Sequence, residues 1–271
     1  MASSVAIVGC GWLGQALAKD LVKEQIEVVA TTQSPEKLAM LAKLGVQAKL
    51  FSLPLLQEPD QQDLVFNCHT LVIAIPPMIR QGKQDYADKI AQLVNGAERG
   101  NVSKIILIST TAVYDGYSGR VTEELPLKRE LAKVDLLARA EQQVLGFSGV
   151  SVVLRCAGLV GEDRHPGRFF ANNRVLKAPG ASVNLVHQVD VVAILRLFIE
   201  TEHSGIFNAV GDTNITKKQF YQAAAQALNL PLPTFEINSK DDSSRKVVGD
   251  KLIKLLNYQY RYGDLVSWLS K

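Results

Sequence analysis

The chain has 271 residues, 47% of them hydrophobic and 21% charged, with a formal net charge of +3 at pH 7. This length suits one large domain or two small ones, and the composition is that of a folded globular protein. No dense Lys/Arg block points to nucleic acid, and the longest apolar runs, LVIAI and VVAIL, are far too short to span a bilayer.

The first element is VAIVG, which reads as a buried strand and lacks the basic n-region of a signal peptide. It runs straight into GCGWLG and the helical stretch LGQALAKDLVKE. Gly9, Gly11 and Gly14 match G-x-G-x-x-G, and each has a mechanical reason. Gly9 allows the tight turn, Gly11 lets backbone approach a pyrophosphate, and Gly14 lets the helix pack close to the sheet. Helix-start N–H groups and the helix dipole then favour a diphosphate, with Trp12 and Leu13 at the same place.

EVVATT is the second strand. An acid at its end would bind the ribose 2′-OH of NAD; here stand Thr31, Thr32, Gln33 and Ser34, with Lys37 one turn on. Hydroxyls and a cation without an acid would accept a 2′-phosphate, so NADP(H) is expected in preference to NAD(H). SPEKLAMLAKLG predicts a helix with Ser34 as N-cap, Pro35 at N1 and Gly45 as C-cap.

LVIAIPP places Ile75, Pro76 and Pro77 at the carboxyl end of the next strand, where open α/β sheets bind ligands. These residues suit a rigid apolar wall against the cofactor. The helix QDYADKIAQLVNGAERG leads to KIILISTTAVYDG, a strand ending in Ser109, Thr110 and Thr111, with Tyr114 just beyond. Hydroxyls at such an end can bond a substrate carbonyl or the nicotinamide ribose, or instead cap the local backbone. ELAKVDLLARAEQQVLGF reads as a helix and SVVLR as a strand.

After about residue 160 the rhythm changes. GEDRHPGRFFANNRVLKAPG is loop-rich, VNLVHQVDVVAILRLFIET gives a short strand and a helix from near Asp190, and GIFNAVG is a strand. ITKKQFYQAAAQALNL is a helix with Thr216 near its start, and DDSSRK is the stretch expected to be mobile. Strand–helix alternation with near-continuous apolar strands predicts an α/β fold, a Rossmann-type doubly wound parallel sheet. Cys10, Cys68 and Cys156 form no CxxC pair, which suits a reducing, cytoplasmic location. His69, His165, His187 and His203 lack metal-ligand spacing, so no metal is expected.

In their order these segments resemble the extended short-chain dehydrogenase/reductases, the NAD-dependent epimerase/dehydratase superfamily. GCGWLG resembles the family's glycine loop, and ISTTAVYDG its strand-five segment, with Thr110 at the Ser/Thr position. SVVLRCAGLVG is similar to the strand-six segment with Arg155 and Gly161, and VNLVHQVDVVAIL to the His-x-x-Asp segment with His187 and Asp190. The resemblance implies a dinucleotide-binding domain over residues 1–161, with 185–210 returning to it. It also implies a small C-terminal α/β substrate-binding region over 162–184 and 211–271. A homodimer through the QDYADKIAQLVNGA and ELAKVDLLARAEQQVL helices is implied as well.

The sequence departs from the family at two points. The family usually has G-x-x-G-x-x-G. Its catalytic pair is Tyr-x-x-x-Lys, and none of the tyrosines at 86, 114, 117, 221, 258, 260 and 262 has Lys four residues on. Lys133 and Leu137 stand where that pair would fall, which marks an atypical subgroup. Three readings follow. Tyr114 or another residue acts as the acid/base, with Lys133 near it; or His165 or His187 exchanges the proton; or the chain binds a dinucleotide without catalysis. In the hydride-transfer reading Thr110 and Tyr114 polarise the reacting oxygen. His187 reads better as a hydrogen-bonded structural residue. His165, in the polar loop from Asp163 to Gly167, reads with Arg164 as a substrate contact. Arg168, Arg245 and Lys246 extend that set toward a phosphate or carboxylate.

The expected function is therefore NAD(P)-dependent hydride transfer on a small polar metabolite, a nucleotide sugar among the candidates. The alternatives are a non-catalytic dinucleotide-binding sensor and a Rossmann reductase with a helical C-terminal domain; the late strands SVVLR and GIFNAVG argue against the latter.

Overall fold

The computed structural model describes residues 4–55, 63–170, 175–236 and 244–270. Residues 241–243 of the DDSSRK stretch and 171–174 of the GEDRHPGRFFANNRVLKAPG loop lie outside the described residues. The chain forms two compact units. Met1–Ser109, Leu127–Arg155 and Val192–Phe207 make the first; Thr110–Pro126, Cys156–Val191 and Asn208–Lys271 make the second.

In chain order the elements are β1 (Ser4–Val8), α1 (Trp12–Lys23), β2 (Glu27–Thr32), α2 (Leu38–Ala42), β3 (Gln47–Leu50), β4 (Thr70–Ile73), α3 (Tyr86–Arg99) and β5 (Lys104–Thr110). There follow β6 (Gly119–Val121), α4 (Ala132–Leu145), β7 (Val150–Cys156), β8 (Gly158–Val160), β9 (Leu185–His187), α5 (Gln188–Glu200) and β10 (Gly205–Ala209). The chain ends with α6 (Lys217–Ala227), β11 (Arg245–Val247), α7 (Asp250–Leu256) and α8 (Leu265–Leu269).

The main sheet has the order β10-β7-β5-β4-β1-β2-β3. β3, β2, β1, β4 and β5 run parallel to their neighbours. This is the expected doubly wound sheet, and the order reverses between β1 and β4, the switch point at which such sheets bind ligands. The strands are apolar because both faces are covered: Val5, Ala6, Ile7, Leu71, Val72, Ile73, Ile105 and Ile106 are fully buried. α1 covers the sheet with Leu13, Leu17 and Leu21, spaced four apart on one helical stripe. α3 packs against α4, and its Gly96 leaves the space that the buried Phe66 ring fills.

One charge in this core has a structural explanation. Lys104 is fully buried on β5. Its Nζ donates to the carbonyls of Ile199 (2.8 Å) and Thr201 (2.7 Å) and pairs with Glu202 at 3.0 Å. It thus satisfies carbonyls at the C-terminal end of α5, where the dipole favours a cation.

The second unit contains two small parallel pairs, β6 with β11 and β8 with β9. Val160, Phe220, Leu265 and Trp268 form its apolar core. Asp190, fully buried, accepts from the Tyr258 hydroxyl (2.8 Å) and from the backbone N–H of Arg261 (2.6 Å) and Tyr262 (3.1 Å). α6 starts at a capping box: Thr216 accepts from the Gln219 N–H, and Gln219 accepts in return from the Thr216 N–H.

The helix expected from Ser34 to Gly45 is shorter than its pattern. Pro35–Lys37 form a 3-10 turn and only Leu38–Ala42 are α-helical. The Ser34 hydroxyl donates to the Glu36 carboxylate instead of capping the backbone, and Gly45 closes the segment in a left-handed conformation, φ 81°.

Candidate functional site

At the carboxyl end of β1 the chain turns sharply. Gly9 has φ 91°, and a Cβ there would meet the backbone of Ala74 and Ile75 at 2.9 Å, so only glycine fits. The turn is held by Thr31, whose Oγ1 accepts from Gly9 N–H (3.2 Å), and by the Cys10 N–H bond to the Thr31 carbonyl (3.0 Å). Gly14 sits 3.1 Å, measured to a hypothetical Cβ, from the Gly9 carbonyl, which is the close helix–strand approach its position in the motif demands.

Gly11 differs from both. A Cβ there has only the Gly9 carbonyl oxygen as neighbour, at 4.0 Å, so its missing side chain leaves open space. Gly11 is the N-cap of α1, no side chain caps that end, and the first turn has no acid. The Gln15 N–H makes the first intrahelical bond, to the Gly11 carbonyl (2.8 Å), so the N–H groups of Leu13 and Gly14 have no acceptor within the helix. An uncapped, acid-free helix start with an open approach is a fitting seat for a diphosphate.

A cavity of about 630 Å³ opens in front of it. From the β1 turn it is lined by Gly9, Cys10 and Gly11, and from the end of β2 by Thr31, Thr32, Gln33, Ser34 and Lys37. Beyond β4 it is lined by Ala74, Ile75, Pro76 and Met78. Of the residues expected at the cofactor, Gly9, Gly11, Thr32, Gln33, Ser34, Lys37, Ile75 and Pro76 therefore share one cavity wall. Trp12, Leu13 and Gly14 belong to the helix behind it, while Pro77 and Ser109 are not part of its lining. Thr32 accepts from the Ser34 N–H (3.1 Å), which fixes the turn after β2. Burial pushes the Cys10 thiol up to about 11, so it is a neutral wall group at physiological pH.

Sequence reasoning missed Phe51, Leu53, Lys83 and Lys89, which also line the cavity. The first two follow β3, a short strand whose QAKL sequence carries no apolar run. Lys83 precedes α3 and Lys89 lies in its first turn, and only the strand order reveals that this end of the helix faces the β1 turn.

The hydroxyl residues at the end of β5 are placed differently. Ser109 is buried and its Oγ donates to Glu141 Oε1 at 2.6 Å. Glu141 in turn is clamped by the buried Arg155, with Nη2 to Oε2 at 2.7 Å and Nε to Oε1 at 3.1 Å. The hydrogen of Ser109 is thus committed within this ion-pair network. In the second unit, Thr110 Oγ1 accepts from the Ala112 N–H (3.2 Å), which leaves its own hydrogen to donate.

Tyr114, expected from the sequence to polarise a reacting oxygen, sits in a hydrogen-bonded cluster. It is fully buried, and its hydroxyl donates to Asn208 Oδ1 at 2.8 Å. Asn208, also fully buried, donates to the Val248 carbonyl (2.9 Å), and its N–H donates to Glu123 Oε1 (2.7 Å). Desolvation holds the Glu123 carboxyl above its ordinary range.

His165 Nδ1 accepts from the Gly167 N–H (3.1 Å), and its ring lies 5.4 Å from Trp268. Desolvation, with the nearby Arg168 charge, lowers its pKa. Arg164 is exposed on the adjoining turn. His187 is buried between the rings of Tyr262 (4.1 Å) and Trp268 (4.7 Å), with Nδ1 accepting from the Val189 N–H (3.2 Å). That is the structural role the sequence suggested for it. Among the described residues, no group of three His, Cys, Asp or Glu could hold a metal ion, and no helix is long and apolar enough to cross a membrane.

Comparison with known proteins agrees with this geometry. A family model described as NAD(P)H-binding matches residues 9–184. Protein YeeZ of Escherichia coli (strain K12) is 33% identical over 269 residues, 96% of each chain. The solved structure of MoeE5 in complex with UDP-glucose and NAD matches with a TM-score of 0.79 at 18% identity, covering 99% of this chain and 96% of that one. The human epimerase family protein SDR39U1 (isoform 2) with NADPH matches with a TM-score of 0.76 at 16% identity, over 99% and 98% of the two chains. At these identities the two structures share the fold.

Proposed function

Because this chain belongs to the NAD(P)H-binding family, we propose that it is an NADP(H)-dependent oxidoreductase or epimerase/dehydratase-like enzyme acting on a small polar metabolite such as a nucleotide sugar. The observation that carries this reading is the cavity in front of the uncapped α1 start, with Gly11 open toward it and no acid at the end of β2. When bound, the nicotinamide supplies hydride exchange with a substrate carbon. The residues do the rest. Leu13 and Gly14 N–H groups hold the diphosphate, Ile75 and Pro76 wall the cofactor, and Thr32, Gln33, Ser34 and Lys37 receive the adenosine ribose and its phosphate. Thr110 donates a hydrogen bond to the substrate oxygen, and Arg164 and His165 contact an anionic part of the substrate. No proton step is assigned to Tyr114, whose hydroxyl is engaged with Asn208.

That same engagement, with the missing Tyr-x-x-x-Lys pair, favours a second reading, a dinucleotide-binding protein without catalysis. The chain is proposed to act in the cytoplasm, without nucleic acid or membrane partners, and as a homodimer.

The test is titration with NADPH and NADH, read through Trp12 fluorescence in the wild type and in Gly11→Asp. The space around Gly11 admits a side chain, so the variant folds, while its carboxylate repels a diphosphate. Saturable binding that prefers NADPH and is lost in Gly11→Asp is the expected result. Binding of neither dinucleotide sinks the reading. Cofactor oxidation over a panel of carbonyl substrates and nucleotide sugars then separates the enzyme from the non-catalytic binder.

A further inference from the structure

Three lysines line the dinucleotide cavity, Lys37, Lys83 and Lys89, and no acidic residue lines it among the described residues. The diphosphate of a dinucleotide already has a seat at the α1 start, so this excess of positive charge calls for further negative charge nearby. The three lysines are not equivalent. Lys89 is paired with Asp85 at 2.9 Å, and that contact holds the Asp85 carboxyl below its ordinary range, with a lesser contribution from Lys83. Lys37 shares its 3-10 turn with Glu36, whose carboxylate accepts from Ser34. Lys83 has no ion pair within 4 Å among the described residues.

The backbone brings Lys83 to this position by an unusual route. Beyond β4, Met78 (φ 52°) and Gly82 (φ 76°) bracket the 3-10 turn Ile79–Gln81 with two left-handed residues. A left-handed methionine is uncommon, and such positions concentrate where a segment must be aimed. The turn reverses the chain so that Met78 and Lys83, on its two sides, both reach the cavity wall.

We infer that Lys83 is a specificity-determining residue: together with Lys37 it clamps a phosphomonoester on the adenosine ribose, and so selects NADP(H) over NAD(H). This rests on the dinucleotide reading of the same cavity. A phosphomonoester carries close to two negative charges at neutral pH, which Lys37, diluted by Glu36, balances incompletely and which a second lysine brings nearer to balance. The clamp draws on two elements distant in sequence, the turn after β2 and the turn after β4, so neither alone would reveal it.

The experiment measures dissociation constants of NADPH, NADH, adenosine 2′,5′-bisphosphate and 5′-AMP for the full chain, wild type and Lys83→Gln, with Lys83→Arg as the conservative variant. Loss of a charge-assisted hydrogen bond weakens NADPH by roughly ten- to a hundredfold in Lys83→Gln. Adenosine 2′,5′-bisphosphate weakens in parallel, NADH and 5′-AMP do not, and Lys83→Arg restores most of the difference. Retained NADH binding also shows that the variant is folded. Equal weakening of NADPH and NADH overturns the inference in favour of a diphosphate contact, and no change in either overturns it outright. Wild-type chain that binds neither dinucleotide fails one step earlier, at the cavity's assignment, and takes this inference with it.

Discussion

The rim of the glycine-loop cavity and the cluster around Asn208 both carry polar groups at or near the ends of sheet strands, yet they differ in what those groups bond. Around Asn208 the polar atoms answer one another: Tyr114 donates to its side chain, which donates to Val248, and its N–H reaches Glu123. At the cavity the α1 start has no cap, Gly11 leaves space, and Lys83 has no ion pair among the described residues. A buried group left without a partner is costly, so completed networks mark residues that hold the fold. Groups left open on a cavity wall mark residues that await a ligand. By this criterion the Tyr114 hydroxyl is engaged within the fold, while Lys37 and Lys83 line the cavity.

The comparison breaks most visibly at the Ser109–Glu141–Arg155 network, which is completed in the same sense and buried in the first unit. Arg155→Leu would leave the Glu141 carboxylate buried without its partner. A loss of about 3–5 kcal/mol in unfolding free energy is expected, seen as a fall in Tm on the order of 10 °C. Replacing Glu141 by Leu in the same chain removes the orphaned charge and should return much of that loss. Thermal unfolding of the single and double variants checks both; a single variant as stable as wild type would mean that the network holds nothing.

Tyr114→Phe sharpens the comparison at a residue the sequence offered for the chemistry. It keeps the packing of a fully buried ring and removes the donor to Asn208 Oδ1. A loss of about 1–3 kcal/mol in stability is expected from an acceptor left unsatisfied, with NADPH affinity unchanged. A variant of wild-type stability that loses turnover on an identified substrate would restore Tyr114 to the chemistry.

That residue shows what a single sequence can express. β1, β2, β4, β5 and β7 were legible because a strand covered on both faces is apolar throughout. β3 was not, because its residues are half exposed and its pattern says nothing, and β6, β8 and β11 are each only three residues long. The glycine loop was legible because each glycine answers a local steric demand visible in the motif. Tyr114 was read only from its place after β5, because its partner Asn208 lies 94 residues on, and only folding shows that its hydroxyl has an acceptor. Lys83 was missed for the converse reason: no local pattern distinguishes a lysine facing solvent from one carried to a cavity by a turn between two left-handed residues.

The smallest expected effect concerns His187, a core group that can still titrate. Its Nδ1 accepts from the Val189 N–H, so the hydrogen of the neutral ring sits on Nε2, which has no hydrogen-bond partner among the described residues in its buried position between Tyr262 and Trp268. Desolvation lowers its pKa from 6.5, outweighing Asp190 and Glu162, which favour the charged ring. The folded state therefore binds a proton less readily than the unfolded one. The stability of the neutral form is fully present above about pH 6.5 and is lost as pH falls from there toward the lowered folded value. His165, shifted the same way, adds to that slope. His187→Asn, whose amide oxygen can take over the bond from Val189, should flatten the fall in Tm between pH 7.5 and pH 5.5 without moving NADPH affinity, because the group serves the second unit's core and not the cavity. An unchanged slope would assign the acid sensitivity to His165 or to the carboxylates instead.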